Sequence, residues 1–349
     1  MHLVKSGYFN ITNRHSNFIY MYRIDDKFTV NISNEQIPMI KAAFAVVSTP
    51  VHILATTWSP PDWMKVKSNY TDCGLLKTEF YQTYADYHYK FIEHYHAQGI
   101  PIWGITTTNE PANGFLPMKK FNCLGWTSYH MGLWISSFLG PKIRGSRFKK
   151  TKILAVDDQR YSIPLWFNEM LEANPTVLHY IDGVGVHWYS NVLFPPEQLT
   201  ANVNFKRNYI PGALPWQTPR VDIGSWKRAR NYALDIMTNL NFNVVGWLDW
   251  NICLNEEGGP VWNDNNVDSP VLVSSEKGEF YKQPMFYAMG HFSKFIPRGS
   301  RRIHVHDFMC LNAPTPRPTF SISQVKDKMV ERVALRTPKK TIVIVLYNR

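Results

Sequence analysis

The stretch "IWGITTTNEP", Ile102–Pro111, decides the fold. An apolar, β-branched run turns polar at its end and stops at an acid and a proline. Such a short run predicts a strand buried on both faces. Before it, "TEFYQTYADYHYKFIEHYHAQG" (Thr78–Gly99) has Phe80, Tyr84, Tyr87, Phe91 and Tyr95 at helical spacing, with Gly99 and Pro101 as stop signals. That spacing predicts an amphipathic helix with Thr78 as its expected N-cap. The same alternation runs outward in both directions. "VHILATTW" (Val51–Trp58) precedes the helix. "KILAVDDQ" (Lys152–Gln159), a helix around Pro164–Ala173, "GVGVHWY" (Gly183–Tyr189), a helix over Trp226–Leu240 and "NVVGWLDWN" (Asn243–Asn251) follow.

Short apolar strands separated by helices predict a parallel α/β sheet. Each strand ends in polar or aromatic groups: Trp58, Asn109-Glu110, Asp157-Asp158, His187-Trp188-Tyr189 and Asp249-Trp250-Asn251. A (β/α)8 TIM barrel builds its active site at the carboxyl ends of its strands. Five polar tips in succession therefore point to a barrel with a sugar-sized site. After about residue 296 the helices stop. "RRIHVHDF", "ERVALRT" and "TIVIVLYNR" predict β-strands, interrupted by the Pro-rich loop "APTPRPTF". The expected division is a barrel over 1–295 and a small all-β, sandwich-like domain over 296–349.

The composition is globular, with 44% hydrophobic and 14% aromatic residues, including twelve Trp. The net charge of +11 favours anionic partners such as an anionic membrane surface, more so where the twelve His are protonated. No basic run or zinc-finger spacing indicates nucleic acid, and no His, Cys and carboxylate spacing indicates a metal. The four cysteines, Cys73, Cys123, Cys253 and Cys310, are compatible with free thiols or with up to two disulfides. Sequons at Asn10, Asn31 and Asn69 hint at a secretory or lysosomal glycoprotein, whereas "MHLVKSGYFN" lacks a signal-peptide core. No apolar run reaches the length of about 18 residues that a membrane span needs.

The segments "ILATTWSPPDWMK", "TTTNEP", "CLGWT", "AVDDQR", "GVGVHWY", "GSWKRARNYA", "VVGWLDWNICLNEEGGPVW" and "FYKQPMFYAMGHFSKFIP" resemble the glucosylceramidases, the lysosomal acid β-glucosidases of glycoside hydrolase family 30. The resemblance implies a barrel with a β-sandwich-like domain, no cofactor, and retaining hydrolysis of glucosylceramide to glucose and ceramide. It also implies work in the lysosome on an anionic membrane with a saposin-type activator. Retaining hydrolysis uses two carboxylates about 5 Å apart. By the resemblance, Glu110 is the general acid/base, Asn109 binds the sugar 2-hydroxyl, and Trp58 and Trp250 enclose the glucose. His187 and Tyr189 belong to the substrate pocket, Tyr189 near the nucleophile. Glu110 as a helix-end acid and the two Trp as core residues are the structural alternatives. Asp157 and Asp158 are expected to form a hydrogen-bond and Arg160 ion-pair cluster without chemistry, and Glu256 and Glu257 an inert loop.

The second acid should end a seventh strand between "HWY" and "GSW". The interval Ser190–Gly224 holds only Glu197 and Asp222 as carboxylates, and neither ends an apolar run. The expectation is a shortened segment and a chain without its nucleophile. The family's first two strands are likewise expected to lack a counterpart before residue 20. Two other functions stay open: a non-catalytic protein that binds a glycolipid or a partner, and a secreted β-glycosidase acting on soluble glycans.

Overall fold

The computed structural model describes residues 36–68, 71–115, 123–189, 219–251, 253–261, 266–305 and 330–348. Shorter described stretches lie at 3–9, 23–24, 30–31 and 207–208, with single positions 191, 193, 194, 196 and 199. The predicted Pro-rich loop, Glu197, and the sequons at Asn10 and Asn69 lie outside the described residues.

Five parallel strands form the central sheet: β1 (Leu3–Phe9), β2 (His52–Thr57), β3 (Ile102–Thr106), β4 (Lys152–Gln159) and β5 (Gly183–His187), in that spatial order. β6 (Arg207–Asn208) pairs in parallel with β7 (Gly246–Trp247). The α/β barrel class of the sequence reading is therefore the observed one. β2, β3 and β5 are buried almost throughout because helices cover the outer face and the barrel interior covers the other.

Three expectations are corrected. A strand does precede residue 20: β1 pairs in parallel with β2 along Leu3–His52 to Phe9–Thr57. Thr78 does not cap the long helix. Thr78–Phe80 form a 3-10 turn, and helix α2 (Tyr81–Ala97) starts after it, with Phe80 at the cap position and no side-chain cap bond. The tight turn has taken the place of the capping side chain. Within Asn243–Asn251 the strand is only Gly246–Trp247, because a ladder extends no further than its two-residue partner β6.

Helix α1 (Gln36–Val46), α2, α3 (Ser128–Trp134), α4 (Gly140–Arg144) and α5 (Asn168–Ala173) lie outside the first five strands. The predicted face of α2 is the buried one: Tyr84, Tyr87, Phe91 and Tyr95 are at most 1% exposed and join the main core with Ile53, Ile105 and Val184. Helix α6 (Trp226–Asn241) and helix α7 (Pro284–Ser293) follow. The antiparallel strands Arg301–Ile303, Glu331–Arg336 and Ile342–Tyr347 pack against them. Val333 and Leu335 share one apolar cluster with Tyr232, Ile236, Met285 and Phe292 of the two helices.

The disulfide Cys73–Cys123 settles the cysteine pairing for these two residues and leaves Cys253 a free, exposed thiol. It ties the strand Thr71–Leu76 to the segment running into Leu124–Gly125, which pairs with that strand in parallel.

Candidate active site

Glu110 follows β3, and its carboxylate is held from three sides. Oε1 accepts from His187 Nδ1 at 2.7 Å and from Gln159 Nε2 at 3.0 Å, and Oε2 accepts from Asn113 Nδ2 at 2.6 Å. The donors come from the tips of β5 and β4 and from the turn Pro111–Phe115. Parallel neighbours end at one level, so groups remote in sequence converge.

His187 Nε2 in turn lies 3.1 Å from Asp157 Oδ1. Burial alone would lower the imidazole pKa. Hydrogen bonds to Asp157 and Glu110, and their charges, outweigh that and raise it to about 9. His187 is therefore an imidazolium donating one N–H to each carboxylate. Asp157 reaches it through a bulge. Gly185 pairs with Val156 and Val186 with Asp158, so Asp157 has no opposite residue. Val156 and Asp157 take φ of 69° and 55°, and Glu110 takes φ of 45°. Side chains avoid this left-handed region, and outliers of this kind concentrate at functional sites. Glu110 N–H donates to Asp157 O at 2.9 Å, so the two strained positions support each other. Gly185 is required here, since a Cβ on it would stand 2.6 Å from Asp157 Oδ1.

Asp158 accepts from Ala112 N and Gln159 N and so fastens the turn after Glu110. Its burial and the Glu110 charge raise its pKa to about 6. The hydrogen-bond half of the expected cluster is present, centred on His187 and the Pro111 turn; for Arg160, the hydrogen bond shown runs from Nη1 to Phe194 O at 2.7 Å.

Trp58 and Trp250 meet with ring centroids 5.7 Å apart and planes tilted by 49°. Asn109 N–H donates to Thr57 O at 2.8 Å, which sets Asn109 beside the residue preceding Trp58. Asn109 is 2% exposed, and its Oδ1 has no hydrogen-bond partner among the described residues. Thr57 is fixed from behind by His88, whose Nε2 lies 3.0 Å from Thr57 Oγ1 and whose Nδ1 lies 2.8 Å from Tyr84 O. Tyr189 stacks on Trp188 at 5.2 Å. Tyr189 is 42% exposed, and desolvation and the Glu110 charge push its pKa up. Asp249, beside Trp250, accepts from Tyr232 Oη and Trp250 N; burial raises its pKa to about 8.

The structure thus brings Glu110, Asn109 and His187 to neighbouring strand tips, and Trp58 and Trp250 into contact. Gln159, Asn113 and Asp249 are members that sequence reasoning missed, and Asp157, expected only in a structural cluster, lies against His187. Asn113 had a signal, since three residues after Glu110 is one turn of 3-10 helix. Among the described residues no group of His, Cys, Asp and Glu is arranged to hold a metal ion.

Glu110 thus stands after a strand tip of a parallel barrel, the end at which such barrels build their active sites. The model of the glycosyl hydrolase family 30 TIM-barrel domain matches residues 22–296, and the chain belongs to that family. It is 37% identical over 326 residues to the lysosomal acid glucosylceramidase of Mus musculus, covering 90% of this chain and 59% of that protein. It is 40% identical over 332 residues to "Putative glucosylceramidase 3" of Caenorhabditis elegans, covering 90% of this chain and 63% of that protein. The chain therefore spans about three fifths of these relatives. The solved endo-β1,6-glucanase BT3312 superposes with a TM-score of 0.78 at 19% identity, covering all of this chain and 76% of that one, a likeness of fold.

Proposed function

We propose that the fold is that of a glucosylceramidase-type retaining β-glucosidase, with Glu110 as general acid/base, and that this 349-residue chain lacks the nucleophile. The observation that carries the reading is Glu110 itself, held by His187, Gln159 and Asn113 at a barrel strand tip. Protonating a glycosidic oxygen and later activating water asks for one carboxyl fixed in position, and retaining chemistry asks for a second about 5 Å away as nucleophile. Asn109 Oδ1, a buried acceptor, suits a sugar hydroxyl, and Trp58 with Trp250 suits a pyranose face. The relatives' names support glucosylceramide as substrate.

The nucleophile position is the weak member. β6 pairs with β7, the place where a seventh strand would lie, and the sequence around it, "FKRNYI", holds no acid. Asp222 lies beside Asp268, to which its N–H donates at 3.1 Å. This favours a chain that holds a glycolipid without turning it over. A lysosomal setting, an anionic membrane surface and a saposin-type activator belong to the same proposal. The net charge of +11 and three buried carboxyls that keep protons at mildly acidic pH support it.

The test has two arms. The 349-residue chain is assayed with glucosylceramide and with a mechanism-based glycosidase label, and neither turnover nor labelling is expected. A chain carrying a relative's seventh-strand segment in place of residues 200–212 is expected to gain activity. Glu110→Gln in that chain should then abolish glucosylceramide hydrolysis while sparing attack on a glucosyl fluoride, whose leaving group needs no proton. Covalent labelling of the 349-residue chain, or equal loss on both substrates, refutes the assignment.

A further inference from the structure

Asp249 and Trp250 follow the tip of β7, and the Trp250 ring lies 5.7 Å from that of Trp58. No step of the proposed reaction uses Asp249, yet its carboxyl is closely held. Oδ1 accepts from Trp250 N at 2.8 Å, so the acid grips the backbone of the residue that bears the indole. Tyr232 Oη lies 3.0 Å from Oδ1 and 3.1 Å from Oδ2. Tyr232 is fixed in turn: it is 1% exposed, belongs to the apolar cluster of α6 and α7, and tilts against Trp247 at 5.4 Å.

A phenol facing both oxygens of one carboxyl at nearly equal distance matches a neutral acid. The acid's O–H donates to Tyr232 Oη from one oxygen, and the phenol O–H donates to the other. A carboxylate has no proton to give and keeps only the phenol's own. The titratable groups that face Asp249 are Tyr232 from α6 and Asp268 from the segment before strand Val271–Ser274. Arg228 of α6 is paired with Asp268. Desolvation first, and then the Asp268 charge, hold the Asp249 pKa up at about 8.

We propose that Asp249 is a positioning residue for the sugar pocket: as a neutral acid clamped to Tyr232 it holds Trp250 beside Trp58, and its ionisation releases the indole. The inference rests on the reading of Trp58 and Trp250 as the pair that encloses the sugar. Ionisation removes the proton shared with Tyr232 and sets a second negative charge in the field of Asp268. The carboxylate then withdraws, and the Trp250 peptide bonded to it follows.

The test labels the 349-residue chain with 5-fluorotryptophan and follows its fluorine NMR spectrum from about pH 6 to about pH 10. Trp250→Phe identifies the Trp250 signal. That signal should step with a midpoint near pH 8. Asp249→Asn, whose amide keeps one donor and one acceptor, should abolish the step. His187→Gln should retain it, which separates the acid from the imidazolium that titrates at about 9. Methyl β-D-glucopyranoside should bind the parent about tenfold more weakly at pH 9 than at pH 7, because only about a tenth of the molecules then keep the neutral acid. Asp249→Asn should remove most of that loss. No step in the parent, a step that persists in Asp249→Asn, or one that vanishes in His187→Gln overturns the clamp. Absence of glucoside binding at every pH would instead refute the sugar pocket, with the Trp250 step still deciding the clamp.

Discussion

His187 Nδ1 lies 2.7 Å from Glu110 Oε1, while its other ring nitrogen faces Asp157 Oδ1 at 3.1 Å. One buried imidazolium thus joins the tips of three adjacent strands. Its pKa is raised from 6.5 to about 9. A group raised on folding stabilises fully below its unfolded pKa and loses that contribution as pH rises through the folded one. Chemical denaturation between pH 6.5 and 9 should therefore show a loss on the order of a few kcal/mol, and His187→Gln should flatten that slope. An unchanged slope in the variant removes His187 from this role.

Asp158 and Asp235 are raised to about 6 and Asp249 to about 8, all mainly by burial. A carboxyl raised on folding stabilises while protonated, and its contribution fades as pH climbs from about 4 through the folded pKa. Buried His88, lowered to about 4, works in the opposite sense below pH 6.5. Asp182, Glu93, His52 and His94 are also lowered, but less, and the larger shifts of the three acids set the balance. Melting temperature should peak at mildly acidic pH, about 4.5–6, and Asp249→Asn should shrink the fall from pH 5 to 8. A peak at pH 7.5 or above contradicts the balance.

Cys73 and Cys123 are separated by 50 residues in sequence. Closing a loop of that size restricts the unfolded chain by about 4 kcal/mol in the entropic description. Cys73→Ser should lower unfolding free energy by roughly 2–4 kcal/mol, and a reductant should do the same to the parent but not to the variant. Equal sensitivity of both proteins to reductant would show that this bridge is not the cause.

Gly114 and Gly125 cross with no room for a side chain. Gly114→Ala must push the turn after Glu110 away from the Leu124–Gly125 strand, at a cost of about 1–3 kcal/mol. Gly278→Ala is the useful contrast, because nothing lies within 4 Å of a Cβ there and only its φ of +66° is affected. A Gly114 variant as stable as the parent would mean that this crossing yields freely.

Sequence alone determined the barrel and half of its site. Period 3.6 in α2 and apolar runs with polar tips specify local structure directly, since burial on one face or both leaves its mark residue by residue. The motif "TTTNEP" singled out Glu110 by its place at a strand end and by the family resemblance. Tertiary structure decided who holds it. Gln159 and His187 sit on neighbouring strands, and only the parallel register sets them at one level with Glu110. The bulge at Asp157 was equally illegible, because an extra residue in one strand exists only relative to its partner. The pairing of Cys73 with Cys123 and the meeting of Trp58 with Trp250 depend on chain crossings rather than spacing. Local pattern fixes which side chains face inward, and the packing of distant elements fixes which of them touch.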